Sequence, residues 1–294
     1  MQHISALPVV TGKYTEAFFS VQGEAKNTGK LCTWLRLFSC NLQCRGFGQA
    51  EPGNPESWIQ RPSSILKMAT SLDEIVTPKI GCDSDYSWNA AAKHLAVAAD
   101  SNVAAGVVRG TIPVGTFTPR IGHVFTGGEP MLQQRFMAAI MEAWMADGNV
   151  PAWIGVETNG TQPLGIELAA AVEAYMSAGH EFYFSVSPKL LHVSGERPEK
   201  AVNVDVIKSY IDLCPGSYLK FVLNEDDRAW RQAEGIKERL GTLVETWVMP
   251  VGAVSSQQLD PAVGRIADKA IFDYGWNVSP RVHVLLWGDD QIGR

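Results

Sequence analysis

The feature that most restricts what this chain can fold into is a regular alternation, from residue 122 onward, of short apolar runs with stretches of helical periodicity. Strands are expected over residues 122–125, 153–157, 182–187, 218–223, 246–249 and 281–286, and helices over 131–146, 165–178, 198–213, 226–240 and 261–274. Strands and helices that alternate through short connections build a parallel sheet with right-handed crossovers, either a doubly wound sheet or a partial barrel. Upstream, residues 31–38 read as a further strand and residues 89–105 as an alanine-rich helix. The first of these is apolar except for Arg36. An arginine inside a run buried on both faces either snorkels to the sheet end or is aimed at an anion in a cavity.

The functional signal sits at the carboxyl ends of these strands. They close in Thr126-Gly127-Gly128-Glu129-Pro130, Glu157-Thr158-Asn159-Gly160-Thr161, Ser187-Pro188-Lys189, Lys220-Phe221-Val222-Leu223-Asn224 and Met249-Pro250-Val251-Gly252. In a parallel barrel such ends share one rim, where ligands bind. Taken singly, each is an ordinary turn or a solvated lysine. Taken together they suit a common ligand, because paired glycines let backbone carbonyls approach an ammonium group while Ser, Asn and Lys bind carboxylate and hydroxyls.

Cys40-Asn41-Leu42-Gln43-Cys44 and the distant Cys82 add a second signal. Three thiolates on a four-iron cube leave one iron without a protein ligand, an open position for chemistry. Phe47 stands where a compact motif would put the third cysteine, so spacing alone leaves two other readings open: half a zinc site, or small buried hydrophobes. Residues 47–78 are rich in glycine and proline and read as an insertion, with a short helix near 63–75.

Composition narrows the partners. The chain has 294 residues, 46% of them apolar and 19% charged, enough for a substantial core. A formal net charge of -6, with no Lys/Arg run, argues against nucleic acid and for a small-molecule ligand. Five cysteines, an odd number, do not form a disulfide framework and fit a reducing compartment; Cys32 and Cys214 are expected in the core. The first dozen residues lack a charged segment followed by an apolar run, and the apolar stretch 137–145 is too short for a bilayer, so neither leader nor membrane span is expected. The cytoplasm is the expected location.

The ordered motifs resemble those of the radical S-adenosylmethionine (SAM) superfamily and, within it, the 7-carboxy-7-deazaguanine synthase family. The resemblance runs through Phe19-Ser20-Val21-Gln22-Gly23-Glu24, Leu35-Arg36-Leu37, the Cys40 to Cys44 segment and Cys82-Asp83-Ser84-Asp85-Tyr86-Ser87-Trp88. It continues through the strand ends above and Ser279-Pro280-Arg281-Val282-His283 with Leu286-Trp287-Gly288. It implies one radical SAM domain over 1–294, a partial (β/α)6 barrel with an insertion inside the cluster-binding motif. By the same resemblance, a [4Fe-4S] cluster would sit on Cys40, Cys44 and Cys82, and SAM on Gly127, Gly128, Glu129, Thr158, Asn159, Ser187 and Lys189. The substrate 6-carboxy-5,6,7,8-tetrahydropterin would meet Gln22, Glu24, Arg36 and His283, and Mg2+ would meet Ser84. Loss of ammonia would give 7-carboxy-7-deazaguanine, a precursor for queuosine and other 7-deazapurines. A flavodoxin or ferredoxin as electron donor and a homodimer are further implications.

Three positions depart from the family pattern. Thirty-seven residues separate Cys44 from Cys82, Ala25 stands where glycine normally follows Glu24, and Ser84 replaces threonine. The competing expectations are a radical SAM activase or other radical SAM enzyme with a different substrate, and a zinc-stapled or cluster-free binding protein.

Overall fold

The computed structural model describes residues 9–241, 243–289, 292 and 293. The reading of the leader region falls largely on residues 1–8, outside the described residues. The strands are β1 (Thr11–Val21), β2 (Leu31–Leu37), β3 (Val97–Asp100), β4 (Gly122–Gly127), β5 (Trp153–Thr158), β6 (Glu181–Val186), β7 (Tyr218–Leu223), β8 (Glu245–Pro250) and β9 (Asn277–Val278). The α-helices are α1 (Ser64–Met68), α2 (Ser101–Gly110), α3 (Gln134–Ala146), α4 (Ile166–Ser177), α5 (Leu191–Ser194), α6 (Pro198–Ala201), α7 (Val204–Leu213), α8 (Asp227–Leu240), α9 (Ser255–Gln258), α10 (Pro261–Phe272) and α11 (Val282–Trp287).

Among the described residues, nine strands form one sheet in the order β3-β1-β2-β4-β5-β6-β7-β8-β9. β1 lies antiparallel to both neighbours, and every pair from β2 to β9 is parallel. From β2 the order never reverses, so the sheet is singly wound; the doubly wound alternative, which requires a reversal, is excluded. Crossovers of one hand then put the long helices on one face, and the main core lies there. Leu35, Phe125, Val156, Phe184 and Phe221 from the strands pack against Phe136, Trp144, Tyr175, Tyr210 and Trp230 from the helices.

The opposite face follows from the two-residue period of a strand. Trp34, Trp153, Tyr183 and Tyr218 form a second cluster there, with Phe18 and Trp247 against it. Two residues further along β2, β5, β6 and β7, on the same face, come Arg36, Gly155, Ser185 and Lys220. The arginine in an apolar run is thus an inward-facing residue one pleat beyond an aromatic floor.

Four expectations need correction. Residues 281–286 are not a strand: Arg281 precedes helix α11 and 282–286 lie in it; the last strand is the short Asn277–Val278, Pro280 intervenes, and Gly288 follows the helix at φ 68°. The expected helix 89–105 is a 3-10 turn, then edge strand β3, then α2 with the Asp100 side chain accepting from the Val103 amide. Residues 198–213 form two helices, the second capped by Asn203. The segment Ser20-Val21-Gln22-Gly23-Glu24 reads from its composition as a polar, glycine-punctuated loop, but its first two residues end the long strand β1, which the sequence does not lead one to expect.

Candidate active site

The chain leaves β2 through Ser39, at φ 106°, whose amide donates to Ser87 O at 2.8 Å and whose carbonyl accepts from the Glu129 amide at 2.8 Å. Gly128 packs so tightly here that a Cβ would stand 2.4 Å from Ser39 O. Next comes the cysteine loop. Cys44 is held at φ 50°, and the Gln43 and Cys44 amides both donate to Glu196 Oε1, at 2.7 and 2.8 Å. Asn41 bridges to the β5 tip, accepting from Asn159 Nδ2 at 3.0 Å and donating to Thr161 Oγ1 at 2.9 Å.

The insertion is pinched shut at its base. Gly81 N donates to Phe47 O at 2.7 Å, and Gly48 at φ 69° lies where a Cβ would be 2.3 Å from Lys79 O. Cys82 therefore re-enters beside Phe47 as though the intervening residues were absent. Cys40, Cys82 and Phe47 pack on one small cluster with Leu42, Cys44 and Ala201, and all three cysteines line the same cavity.

The donor chemistry of this wall suits an iron-sulfur cluster. Leu42 N donates to Cys40 Sγ at 3.4 Å, and Trp88 Nε1 to Cys82 Sγ at 3.4 Å, the kind of contact that favours thiolate. Burial pushes the Cys40 thiol up to about 12 and also raises those of Cys44 and Cys82. Thiolates in such a place require a nearby positive charge, which a cluster's irons provide. Among the described residues no three His, Cys, Asp or Glu side chains are arranged around a single metal ion. Ligands of a cube each bind a different iron, so the three sulfurs need not converge on one metal-ion position.

Along the strand tips, Gly127, Gly128, Thr158, Asn159, Ser187 and Lys189 line the same cavity, with Lys189 Nζ donating to Ser187 Oγ at 3.0 Å. Glu129 does not line it. Its carboxylate, 1% exposed, accepts from Met131 N at 3.0 Å, Thr158 Oγ1 at 2.7 Å and Asn159 N at 2.7 Å, so it braces the β4 and β5 tips from behind.

The remaining wall is ionic. Gln22, Glu24, Arg36, Asp83, Ser84, Glu157, Lys220, Arg281 and His283 all line it. Lys220 Nζ pairs with Glu24 Oε2 and stands 3.7 Å from Glu157 Oε1, while Arg281 spans Glu24 Oε1 at 3.1 Å and Asp83 Oδ2 at 2.8 Å. Burial alone would raise the Glu24 carboxyl, but Lys220 and Arg281 hold it well below the usual carboxylate range. Burial, helped by Arg281, drops the His283 imidazole to about 4, so it is neutral at pH 7. Arg36 gives its Nε to Glu16 Oε1 at 2.5 Å and lies over the Tyr86 ring, whose hydroxyl donates to the same Glu16 oxygen at 2.7 Å. Ser84 Oγ is 3.6 Å from Cys82 Sγ.

Every residue singled out from sequence except Glu129 thus faces one cavity. The sequence reading assigned no role to Glu16, Asn41, Asp83, Glu196, Lys220 or Arg281. For Lys220 a signal existed: like Arg36, it is a lone charge inside an apolar strand.

No family model matches the chain. It is 26% identical to the 7-carboxy-7-deazaguanine synthase of Pyrobaculum aerophilum, covering 97% of this chain and 98% of that one. It is 24% identical to the enzyme of the same name from Hyperthermus butylicus, covering 96% and 95%. To that of Koribacter versatilis it is 28% identical over 51% of this chain and 45% of the relative. The crystal structure of QueE from Escherichia coli superposes with a TM-score of 0.50 at 18% identity, over 93% of this chain and 95% of that one, a likeness of fold.

Proposed function

We infer that this chain, a member of the 7-carboxy-7-deazaguanine synthase family, converts 6-carboxy-5,6,7,8-tetrahydropterin into 7-carboxy-7-deazaguanine with loss of ammonia. The observation that carries this reading is the return of Cys82 to the wall shared by Cys40 and Cys44, in a cavity that also holds Arg36 and the Glu24 ion cluster. In the proposed assignment Cys40, Cys44 and Cys82 hold a [4Fe-4S] cluster, and Gly127, Gly128, Thr158, Asn159, Ser187 and Lys189 line the SAM site. Glu129 fixes the tips that carry them. When bound, cluster and SAM would supply the radical chemistry that starts at C6 of the substrate.

The protein's part is binding and orientation. Arg36 has its Nε occupied by Glu16, which leaves its terminal nitrogens for the substrate carboxylate, a charge-assisted contact. Glu24, kept ionised, accepts from the N–H donors of the pterin ring; Gln22 and the neutral His283 complete that edge. Ser84 offers a hydroxyl oxygen of the kind that binds Mg2+.

The same reading takes the described residues as one radical SAM domain whose sheet curls into a partial barrel. Support comes from Arg36, Glu157, Ser185 and Lys220, which reach one cavity from four different strands. It further takes a flavodoxin or ferredoxin as electron donor, a homodimer as the assembly and the cytoplasm as the location. Five free cysteines suit a reducing compartment, and no described helix is long and apolar enough to cross a membrane. Anaerobic reconstitution followed by turnover tests the whole: about four irons per chain and release of ammonia from the carboxytetrahydropterin are expected. One zinc or no metal, or a loaded enzyme that leaves this substrate untouched, would overturn it.

A further inference from the structure

The connection between β6 and α7 is zipped against the cysteine loop. Gly46 N donates to Ser194 O at 2.9 Å, a Cβ on Gly46 would lie 2.5 Å from Gly195 N, and Leu42 and Cys44 pack on Ala201. At the centre of this seam is Glu196, 9% exposed, whose Oε1 receives the amides of both Gln43 and Cys44. Two consecutive amides converging on one atom form a nest, which favours an anion. The other oxygen, Oε2, lies 3.6 Å from Lys200 Nζ, and the Glu196 amide donates to Ser194 Oγ at 3.3 Å.

We propose that Glu196 is a positioning residue for the cluster: its carboxylate fixes the Gln43–Cys44 backbone so that the Cys44 sulfur faces the cube. The proposal rests on the reading that Cys40, Cys44 and Cys82 hold that cube. Cys44 sits in the left-handed region at φ 50°, where a residue with a Cβ is disfavoured unless its surroundings hold it there. The direction of a side chain follows directly from its backbone dihedrals, so releasing the nest lets Cys44 relax and carries its sulfur away. The carboxylate has a second effect. It occupies two N–H groups that would otherwise turn to the nearest anions, the cluster sulfurs, and hydrogen bonds to those sulfurs are among the determinants of reduction potential.

The test compares Glu196→Ala and Glu196→Gln with the parent, each as the full chain, cluster-loaded and metal-free. In Glu196→Ala, stripping of iron by a chelator is expected to be about 10- to 100-fold faster, the usual scale for losing a partner that orients a ligand. Iodoacetamide labelling of Cys44 in the metal-free chain, read by peptide mass spectrometry, is expected to accelerate at least several-fold. Cys32 and Cys214, buried elsewhere, serve as internal controls. Glu196→Gln retains an oxygen for both amides, so it should keep the parental iron content while the removal of charge moves the cluster to a less negative potential.

Iron retention and Cys44 labelling in Glu196→Ala equal to the parent's would overturn the proposal. So would a potential in Glu196→Gln equal to the parent's. If the parent takes up no cluster, the fault lies with the functional reading, and the labelling comparison still decides whether Glu196 holds Cys44 in place.

Discussion

Replacing Lys220 with methionine puts the ionic wall to the sharpest test. Lys220 is 5% exposed, and its ammonium lies between two carboxylates. Methionine keeps most of the length and apolar stem but not the charge. Glu24 would retain Arg281 at 3.1 Å, whereas Glu157 would keep, among the described residues, the Thr126 hydroxyl at 3.1 Å. At the 3.7 Å separation of Lys220 from Glu157, with an effective dielectric of 20, the attraction forfeited is about 4 kcal/mol before desolvation of the lysine is credited back. Breaking one side of a buried pair costs about 3 to 5 kcal/mol, and the surviving arginine places this case near the lower end, about 3 kcal/mol at pH 7.5.

The pH dependence has a definite sign. The folded pKa of Glu24 is depressed, so its stabilisation is present above the ordinary carboxylate pKa and is lost as pH falls through the folded value. In the variant much of that depression is gone and burial acts against a weaker opponent. The penalty is then greatest at neutral pH and shrinks toward pH 4.5, as the Glu24 carboxylate takes up a proton. Urea unfolding at pH 7.5 and pH 4.5 under anaerobic conditions measures both values. A destabilisation below about 1 kcal/mol at pH 7.5, where loss of a buried partner is expected to cost several times more, would refute the argument, and so would a gap that widens on acidification.

The remaining predictions concern the other walls. Arg36→Ala should raise the KM for the carboxytetrahydropterin by one to two decades, as expected when a charge-assisted contact of about 1.5 to 3 kcal/mol is lost; steady-state kinetics with an unchanged KM would put the substrate carboxylate elsewhere. Cys82→Ala should abolish cluster assembly as fully as Cys40→Ala does, so an iron assay reporting full loading would identify a different third ligand. Gly48→Ala forces a methyl to within 2.3 Å of Lys79 O at a positive φ, so the pinch must open. A loss of about 2 kcal/mol or more in unfolding experiments is expected, with reduced iron retention as the insertion base loosens.

What the sequence made legible follows from which physical signals are local. Residues 218–223 form the strand expected of them, because a short apolar run bounded by glycine, serine and asparagine admits few alternatives. The six apolar-rich residues after Pro280 carry the same signal yet form a helix, since length alone could not separate a buried strand from a helical turn. β1 escaped because its pattern is broken by a register shift between Tyr14 and Glu16 and by inward polar residues. One of those, Glu16, is the partner that holds Arg36. The motif residues could be named from the chain, but their ionic partners could not. Glu24 is paired with Lys220 and Arg281 across most of the chain's length, and only the pairing of strands with α11 decides which charge meets which.

The gap between Cys44 and Cys82 looked like the strongest argument against a common site, and the geometry explains why it is not. Lengthening a flexible closed loop costs only about 0.6 kcal/mol per doubling, so growth from a few residues to several tens carries a penalty of about 2 to 3 kcal/mol. Against that stand the insertion's own contacts. Leu66, Ala69 and Ile75 are buried against Tyr86 and Ala92, and Arg61 donates to both oxygens of Asp85 at 2.8 Å. Burying even two aliphatic side chains contributes about 3 kcal/mol or more, which offsets the closure penalty. Those contacts are made to the segment that follows Cys82, so the energy that folds the insertion also holds that segment against the body of the protein. The third sulfur is fixed by this packing and by the Phe47–Gly81 hydrogen bond, and the number of residues between the cysteines has little bearing on where it lies.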